Sequence, residues 1–243
     1  ELEASGAEAD VYVVKEQDSD YRRVLKYYRH GIRPKAEITE MLAGLDKEHV
    51  VQVYETGVKD GRSYEIQEFV EHGSLADMVT WDGLPDDRIK EILHELLIAL
   101  EHLHGRNVIH RDLKPANVLV RTLDPLDLVF IDFGISSQTE YSLHATSASR
   151  TVAYASPEAL TGVVAKASDW WSVGVVLLEL LTGKHPFAGL NEQTVNFQLV
   201  SKGIEVPSGI ASDWELLLKG LLTRDREKRW GAMQVRKWLE GER

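Results

Sequence analysis

The stretch Val108 to Val120, Val-Ile-His-Arg-Asp-Leu-Lys-Pro-Ala-Asn-Val-Leu-Val, constrains the chain more than any other. It sets His110, Arg111 and Asp112, then Lys114 and Asn117, among apolar residues, and Ile131-Asp132-Phe133-Gly134 follows it. A hairpin turn containing Pro125 is expected between the two runs. Apolar strands with polar tips would bring Asp112, Asn117 and Asp132 round one point. Two oxygen ligands beside a third carboxylate suit a hard cation with a proton acceptor next to it. The rest of the chain serves to hold that point.

With 243 residues the chain is long enough for one large domain or two lobes sharing a cleft. It has no cysteine, which excludes a disulfide framework and thiolate chemistry. A net charge of -11 argues against nucleic acid as the main partner, because phosphate binding needs clustered Lys and Arg. The longest apolar run, Val173 to Leu181, contains Gly174 and Glu179 and is far shorter than the roughly 20 residues of a membrane span. No membrane segment or secretory leader is expected, and the expected location is cytoplasmic. The chain opens on Glu1, which reads as a domain cut from a longer protein.

Along the chain, strands are expected at Leu2–Ala4, Asp10–Lys15, Arg22–Tyr28, Val50–Gly57 and Arg62–Glu68, with Asp60-Gly61 as a hairpin turn. Pro34 opens a helix running to about Leu45. These elements make a β-rich unit over 1–70. After Gly73 the pattern turns helical, over 71–243. Pro85–His104 carries Ile89, Ile92, Leu93, Leu96, Leu97, Leu100 and Leu103 at the spacing of one buried helix face. Ala167–Thr182 reads as a central helix, Ser212–Leu222 as a helix opened by a Ser-x-x-Glu capping box, and Ala232–Leu239 as a last short helix.

Several elements in this order resemble the protein kinase superfamily, specifically the catalytic domain of eukaryotic-like Ser/Thr kinases. His110-Arg111-Asp112-Leu113 with Asn117 resembles the catalytic loop, and Asp132-Phe133-Gly134 resembles the metal-binding motif. Ser156-Pro157-Glu158 is similar to the Ala-Pro-Glu element, and Asp169 to Gly174 resembles the start of the central helix. Arg229 stands where the family's late arginine pairs with that glutamate. The compact length and lean linkers resemble bacterial members. The resemblance implies an α+β, bilobal fold: a five-stranded antiparallel lobe with one helix, and a larger helical lobe.

The resemblance also implies roles. ATP would be the phosphoryl donor, a protein Ser or Thr the acceptor, and Mg²⁺, or Mn²⁺ in its place, the cation held by Asn117 and Asp132. Asp112 would take or orient the acceptor's proton, and Lys114 would meet the transferring phosphate. Lys26, in Val24-Leu25-Lys26, would contact the α and β phosphates and pair with a helix glutamate, Glu37 by preference or Glu40. Gln67 would sit before the hinge. Glu68 and Val70 would read adenine through their backbones, between Val11, Val24 and Leu119. Residues 135–155 would form an activation segment carrying Ser142, Thr146, Ser147 and Ser149, whose phosphate Arg111 would receive. Thr151 and Lys114 together point to a Ser/Thr acceptor. One element departs from the pattern. In Ala4-Ser5-Gly6-Ala7-Glu8-Ala9-Asp10-Val11 the phosphate-covering loop keeps only Gly6 of the family's three glycines. That loss also fits a nucleotide-binding scaffold with little turnover. A small-molecule kinase fits less well, because Glu158 and Arg229 are both present.

Overall fold

A computed structural model of the chain describes residues 2–5, 8–15, 19–33, 44–133 and 152–242. The first half builds one antiparallel sheet of five strands: β1 (Leu2–Ser5), β2 (Ala9–Lys15), β3 (Arg22–Tyr28), β4 (Val53–Lys59) and β5 (Arg62–Glu68), in the order β1-β2-β3-β5-β4. The β4–β5 turn is the expected Asp60-Gly61 pair, both with positive φ (52° and 73°), which matches the twist of the strands it joins. Strand β4 starts at Val53, not Val50. Val50 instead makes an isolated parallel bridge to Phe130, and Val51 N–H donates to the Phe130 carbonyl at 3.1 Å. Those residues tie the sheet to the second half of the chain. The helix expected from Pro34 falls almost wholly on residues outside those described; its last two positions, Gly44 and Leu45, are turn and bend.

From Leu75 on, helices dominate: α1 (Leu75–Met78), α2 (Asp86–Gly105), α3 (Lys166–Thr182), α4 (Glu192–Ser201), α5 (Ser212–Leu221) and α6 (Ala232–Leu239). Pro85 caps α2, and its expected stripe from Ile89 to Leu103 is buried without exception. Helix α3 is apolar nearly all round because it lies at the centre, with Trp171, Val173, Val175, Val176 and Leu177 inaccessible to solvent. Its cap needs Gly183: φ is 67°, and a Cβ there would lie 2.2 Å from the Trp81 carbonyl oxygen. The Ser212 capping box does not form. Ser212 is already the first helical residue, Ala211 holds the cap position, and no side chain caps the helix. Among the described residues no helix is long and apolar enough to cross a membrane.

Between α2 and α3 a short 3₁₀ turn (Pro115–Asn117) leads into a two-stranded hairpin, β6 (Val118–Leu123) and β7 (Leu126–Phe130). Pro125 lies in its turn, after a cis peptide bond. Val118, Val120, Leu128 and Phe130 enter the main core, while Val129 packs with Val51 and Val70 and is backed by Leu119 and Ile131. The sheet and the helical core therefore meet at this hairpin, with the polar tips of the motif at its open end.

Candidate active site

The segment before β6 is rigid because its backbone is bonded from outside the motif. Asp169, on the first turn of α3 and only 1% exposed, accepts the His110 N–H (2.9 Å) and the Arg111 N–H (3.0 Å), and bonds His104 Nε2 at 2.8 Å. A buried carboxylate with three donors is satisfied, and in turn it holds Arg111 at φ 71°. The imidazole of His110 is fully buried, stacks on Phe133 at 4.7 Å and meets Phe130 edge-on at 5.1 Å. Burial pushes its protonation below the ordinary histidine range, so it is a neutral wedge of the core and not a proton carrier.

Two residues on, the polar tips converge. Lys114 Nζ lies 2.8 Å from Asp112 Oδ2. Asn117 Nδ2 donates to the Asp112 backbone carbonyl (2.8 Å) and to its carboxylate (2.9 Å). With the amide nitrogen so engaged, the amide oxygen of Asn117 is the atom left for a cation. The Ile131 N–H donates to the Asn117 carbonyl at 3.0 Å, which brings Asp132 alongside, at φ 53°. Positive φ at both Arg111 and Asp132 carries a cost on the order of 1–3 kcal/mol each, of the kind that collects at functional sites. Among the described residues no group of three or more His, Asp or Glu side chains gathers round one point. One amide oxygen and one half-exposed carboxylate fit a hard cation that draws its other ligands from phosphate and water.

Lys26 reaches this point from the sheet and forms an ion pair with Asp132. Burial alone would lower its ammonium. The charge and hydrogen bond of Asp132, with smaller contributions from Glu65 and Glu8, outweigh that and hold it above the ordinary lysine range. In register Lys26 lies opposite Val11 on one side and Glu65 on the other, and Val24 shares its face. Glu37 and Glu40, Gly6, Gly134, and the segment with Ser142, Thr146, Ser147, Ser149 and Thr151 lie outside the described residues. Arg111 presents an exposed side chain.

Three groups at the site were not found from sequence. Glu65 is 8% exposed beside Lys26 and accepts the Gln67 amide at 2.7 Å. Tyr28, 3% exposed, has its phenol pushed far up, by burial first and then by the charges of Glu65 and Asp132, so it stays a neutral donor. Arg121, on β6, grips the expected hinge: Nε and an NH2 group reach the two carboxylate oxygens of Glu68 at 2.8 and 3.0 Å. It also bonds Asp127 at 3.1 Å and the Lys47 carbonyl at 2.9 Å. A signal for Asp169 was available in principle, since a carboxylate in a helix apolar all round must find buried donors. For Glu65 the partner Lys26 is set by strand register, and for Arg121 the partner Glu68 is set by the packing of the β6–β7 hairpin against the end of the five-stranded sheet.

Further along, Glu158 and Arg229 meet as expected, with two guanidinium–carboxylate bonds of 2.6 and 2.9 Å. The family model described as protein kinase domain matches residues 4–238. The serine/threonine-protein kinase AtPK1/AtPK6 of Arabidopsis thaliana is 31% identical over 253 aligned residues, covering 97% of this chain and 54% of that protein. AtPK2/AtPK19 of the same plant is 32% identical, with 93% and 50% covered. Ribosomal protein S6 kinase alpha-2 of Mus musculus is 30% identical, with 84% and 28% covered. The chain thus spans about half the length of the two plant relatives.

Proposed function

The chain belongs to the protein kinase family, and on that premise we propose that it transfers the γ-phosphoryl group of ATP to a Ser or Thr hydroxyl of a protein. The observation that carries this reading is the convergence of Lys114 and Asn117 on the Asp112 carboxylate, at 2.8 and 2.9 Å, beside Asp132 and Lys26. The names of the two plant relatives support Ser/Thr as the acceptor class.

In this reading the acceptor oxygen attacks the γ phosphorus as the bond to the departing ADP breaks, and the hydroxyl proton passes to Asp112. Asn117 fixes the Asp112 carboxylate, so the acceptor finds it already aimed. Lys114 sets a positive charge beside the oxygens of the moving group. Lys26, kept cationic, lies where the inner phosphates would rest. Mg²⁺, with Mn²⁺ as a substitute, would be held by Asn117 and Asp132 and would offset charge on the phosphate oxygens. Val11, Val24 and Leu119 would enclose adenine, with the Glu68 and Val70 backbones reading its edge and Gly6 at the tip of the lid. Residues 1–70 and 71–243 would act as the two lobes of one catalytic unit, cytoplasmic in location. Phosphate added within 135–155 would answer to Arg111, and Thr151 would face the acceptor. Glu37 would take Lys26 when Asp132 turns to the cation.

The test is transfer of labelled phosphate from ATP to a generic basic protein by wild type, Asp112→Asn and Lys26→Met. Wild type should transfer label, and both variants should lose it by a factor on the order of a thousand or more while melting within a few degrees of wild type. Label transfer by Asp112→Asn at the wild-type rate would end this reading.

A further inference from the structure

The strand that follows Gly6, from Glu8 on, is tied down on the far face of the sheet. In the β1–β2 hairpin Ser5 pairs with Asp10, so Asp10 stands at the base of the lid, on its outgoing arm. The next residue, Val11, lies opposite Lys26 on the cleft side. By strand alternation Asp10 and its partner Tyr27 point the other way. There Asp10 is 8% exposed, and its carboxylate is gripped twice. Arg29 reaches Oδ1 at 2.9 Å, and Arg62 reaches Oδ2 at 3.1 Å.

Arg62 is itself fixed. Its Nε donates to the Tyr28 carbonyl at 2.6 Å and an NH2 group to the Tyr27 carbonyl at 3.1 Å, while the guanidinium lies 3.8 Å from the Tyr27 ring centroid. A planar fork serves a carboxylate and two carbonyls at once from two nitrogens held in fixed directions. The Arg29 N–H also donates to the Glu8 carbonyl at 2.7 Å, which carries the β2–β3 ladder one residue nearer the tip. The start of β2, the end of β3 and the start of β5 are thus joined through one buried carboxylate.

This placement answers the composition of the lid. Three glycines would let a loop adapt to the phosphates it covers, whereas Ala4 and Ala9 resist positive φ and adapt less. A less adaptable lid must be set in position beforehand. We propose that Asp10 is a positioning residue for phosphoryl transfer: clamped by Arg62 and Arg29, it fixes the outgoing arm of the lid over the phosphates of the nucleotide. The proposal rests on the kinase reading above. Asp10 touches no nucleotide, since it faces away from the cleft. Its effect therefore falls on phosphates and not on the base.

The experiment compares ATP with adenosine, which has the base and no phosphates, by calorimetry on wild type, Asp10→Asn, Asp10→Glu and Arg29→Gln, alongside KM and kcat for ATP. Asp10→Asn should raise the Kd and KM for ATP on the order of tenfold, the worth of one charged hydrogen bond. The adenosine Kd and kcat at saturating ATP should stay near wild type. Arg29→Gln, cutting one arm at a half-exposed side chain, should show the same split more weakly, and Asp10→Glu should recover part of the loss. Equal losses for ATP and adenosine, or a lower melting temperature with unchanged ATP affinity in the folded protein, would make the cluster a structural tie only and overturn the proposal. Wild type that binds neither compound would fail earlier and differently, taking the kinase reading with it.

Discussion

Glu158→Ala should destabilise the protein by about 3 kcal/mol, and the structure sets that figure. The Arg229 side chain is fully buried and that of Glu158 is 12% exposed. The guanidinium also donates to the carbonyls of Ala167 (2.8 Å), Thr223 (2.8 Å) and Arg224 (3.2 Å), and the Ser168 hydroxyl donates to Glu158 at 3.0 Å. Removing the carboxylate leaves the cation with carbonyl dipoles but no counter-charge. Breaking a buried pair from one side costs about 3–5 kcal/mol. The partial exposure of Glu158 and the three remaining carbonyl bonds favour the lower end. For a domain of this size that is a fall in melting temperature of roughly 6–12 °C. Urea titration followed by tryptophan fluorescence would measure it, with an unchanged slope expected.

The same pair predicts a pH signature. Burial by itself raises the Glu158 carboxyl, but the hydrogen bonds and charge of Arg229 outweigh it and leave it below the usual carboxylate range. A depressed acid contributes stability that is full above its unfolded value, near 4.3, and is lost as pH falls through the folded one. The gap between wild type and Glu158→Gln should therefore hold above about pH 4.3 and narrow as the pH falls below it. A loss under about 1 kcal/mol for Glu158→Ala, the level of an exposed pair, would refute the reasoning.

Two further outcomes follow from residues off the motif. Arg121→Met strands the Glu68 carboxylate at the hinge, so ATP and adenosine should weaken together by about tenfold, the worth of one charged hydrogen bond; a loss confined to ATP would place its effect elsewhere. Burial lowers the His185 imidazole to about 4, and its Nδ1 accepts the Phe187 N–H at 3.0 Å. The folded state thus binds fewer protons than the unfolded one between roughly pH 6.5 and that value. Stability should decline as pH falls through this window, and less steeply in His185→Gln; equal slopes in urea midpoints would exclude His185 as a source.

The sequence was most legible where chemistry and burial are both local. The stripe from Ile89 to Leu103 repeats at helix spacing and was placed correctly; the motif from His110 to Asn117 names its own residue types, and the structure gathers Lys114 and Asn117 on Asp112. Helix α4 gave no such signal, because it buries only Val195 and Leu199 and leaves Phe197 and Val200 exposed. The Ser212 box misled because Ser-x-x-Glu fits the cap position and the first turn equally well, and the backbone of Ala211 decided between them. Val50 looked like strand because it is apolar and β-branched; it is buried instead against the hairpin that carries the site.

The illegible part of the site has a common cause. Asp169, Arg121 and Asp10 each bind groups far away in sequence: Asp169 the backbone of His110 and Arg111, Arg121 the carboxylate of Glu68, and Asp10 the guanidinium groups of Arg62 and Arg29. Nothing in their own neighbourhoods names those partners. What they share is a charge at a position that strand or helix alternation buries wholly or in part, and a charge there stays in a stable fold only if it is paired. A charged residue on a face that periodicity assigns to the interior is therefore the trace such supports leave in a sequence. Fold topology then decides which part of the site each one holds.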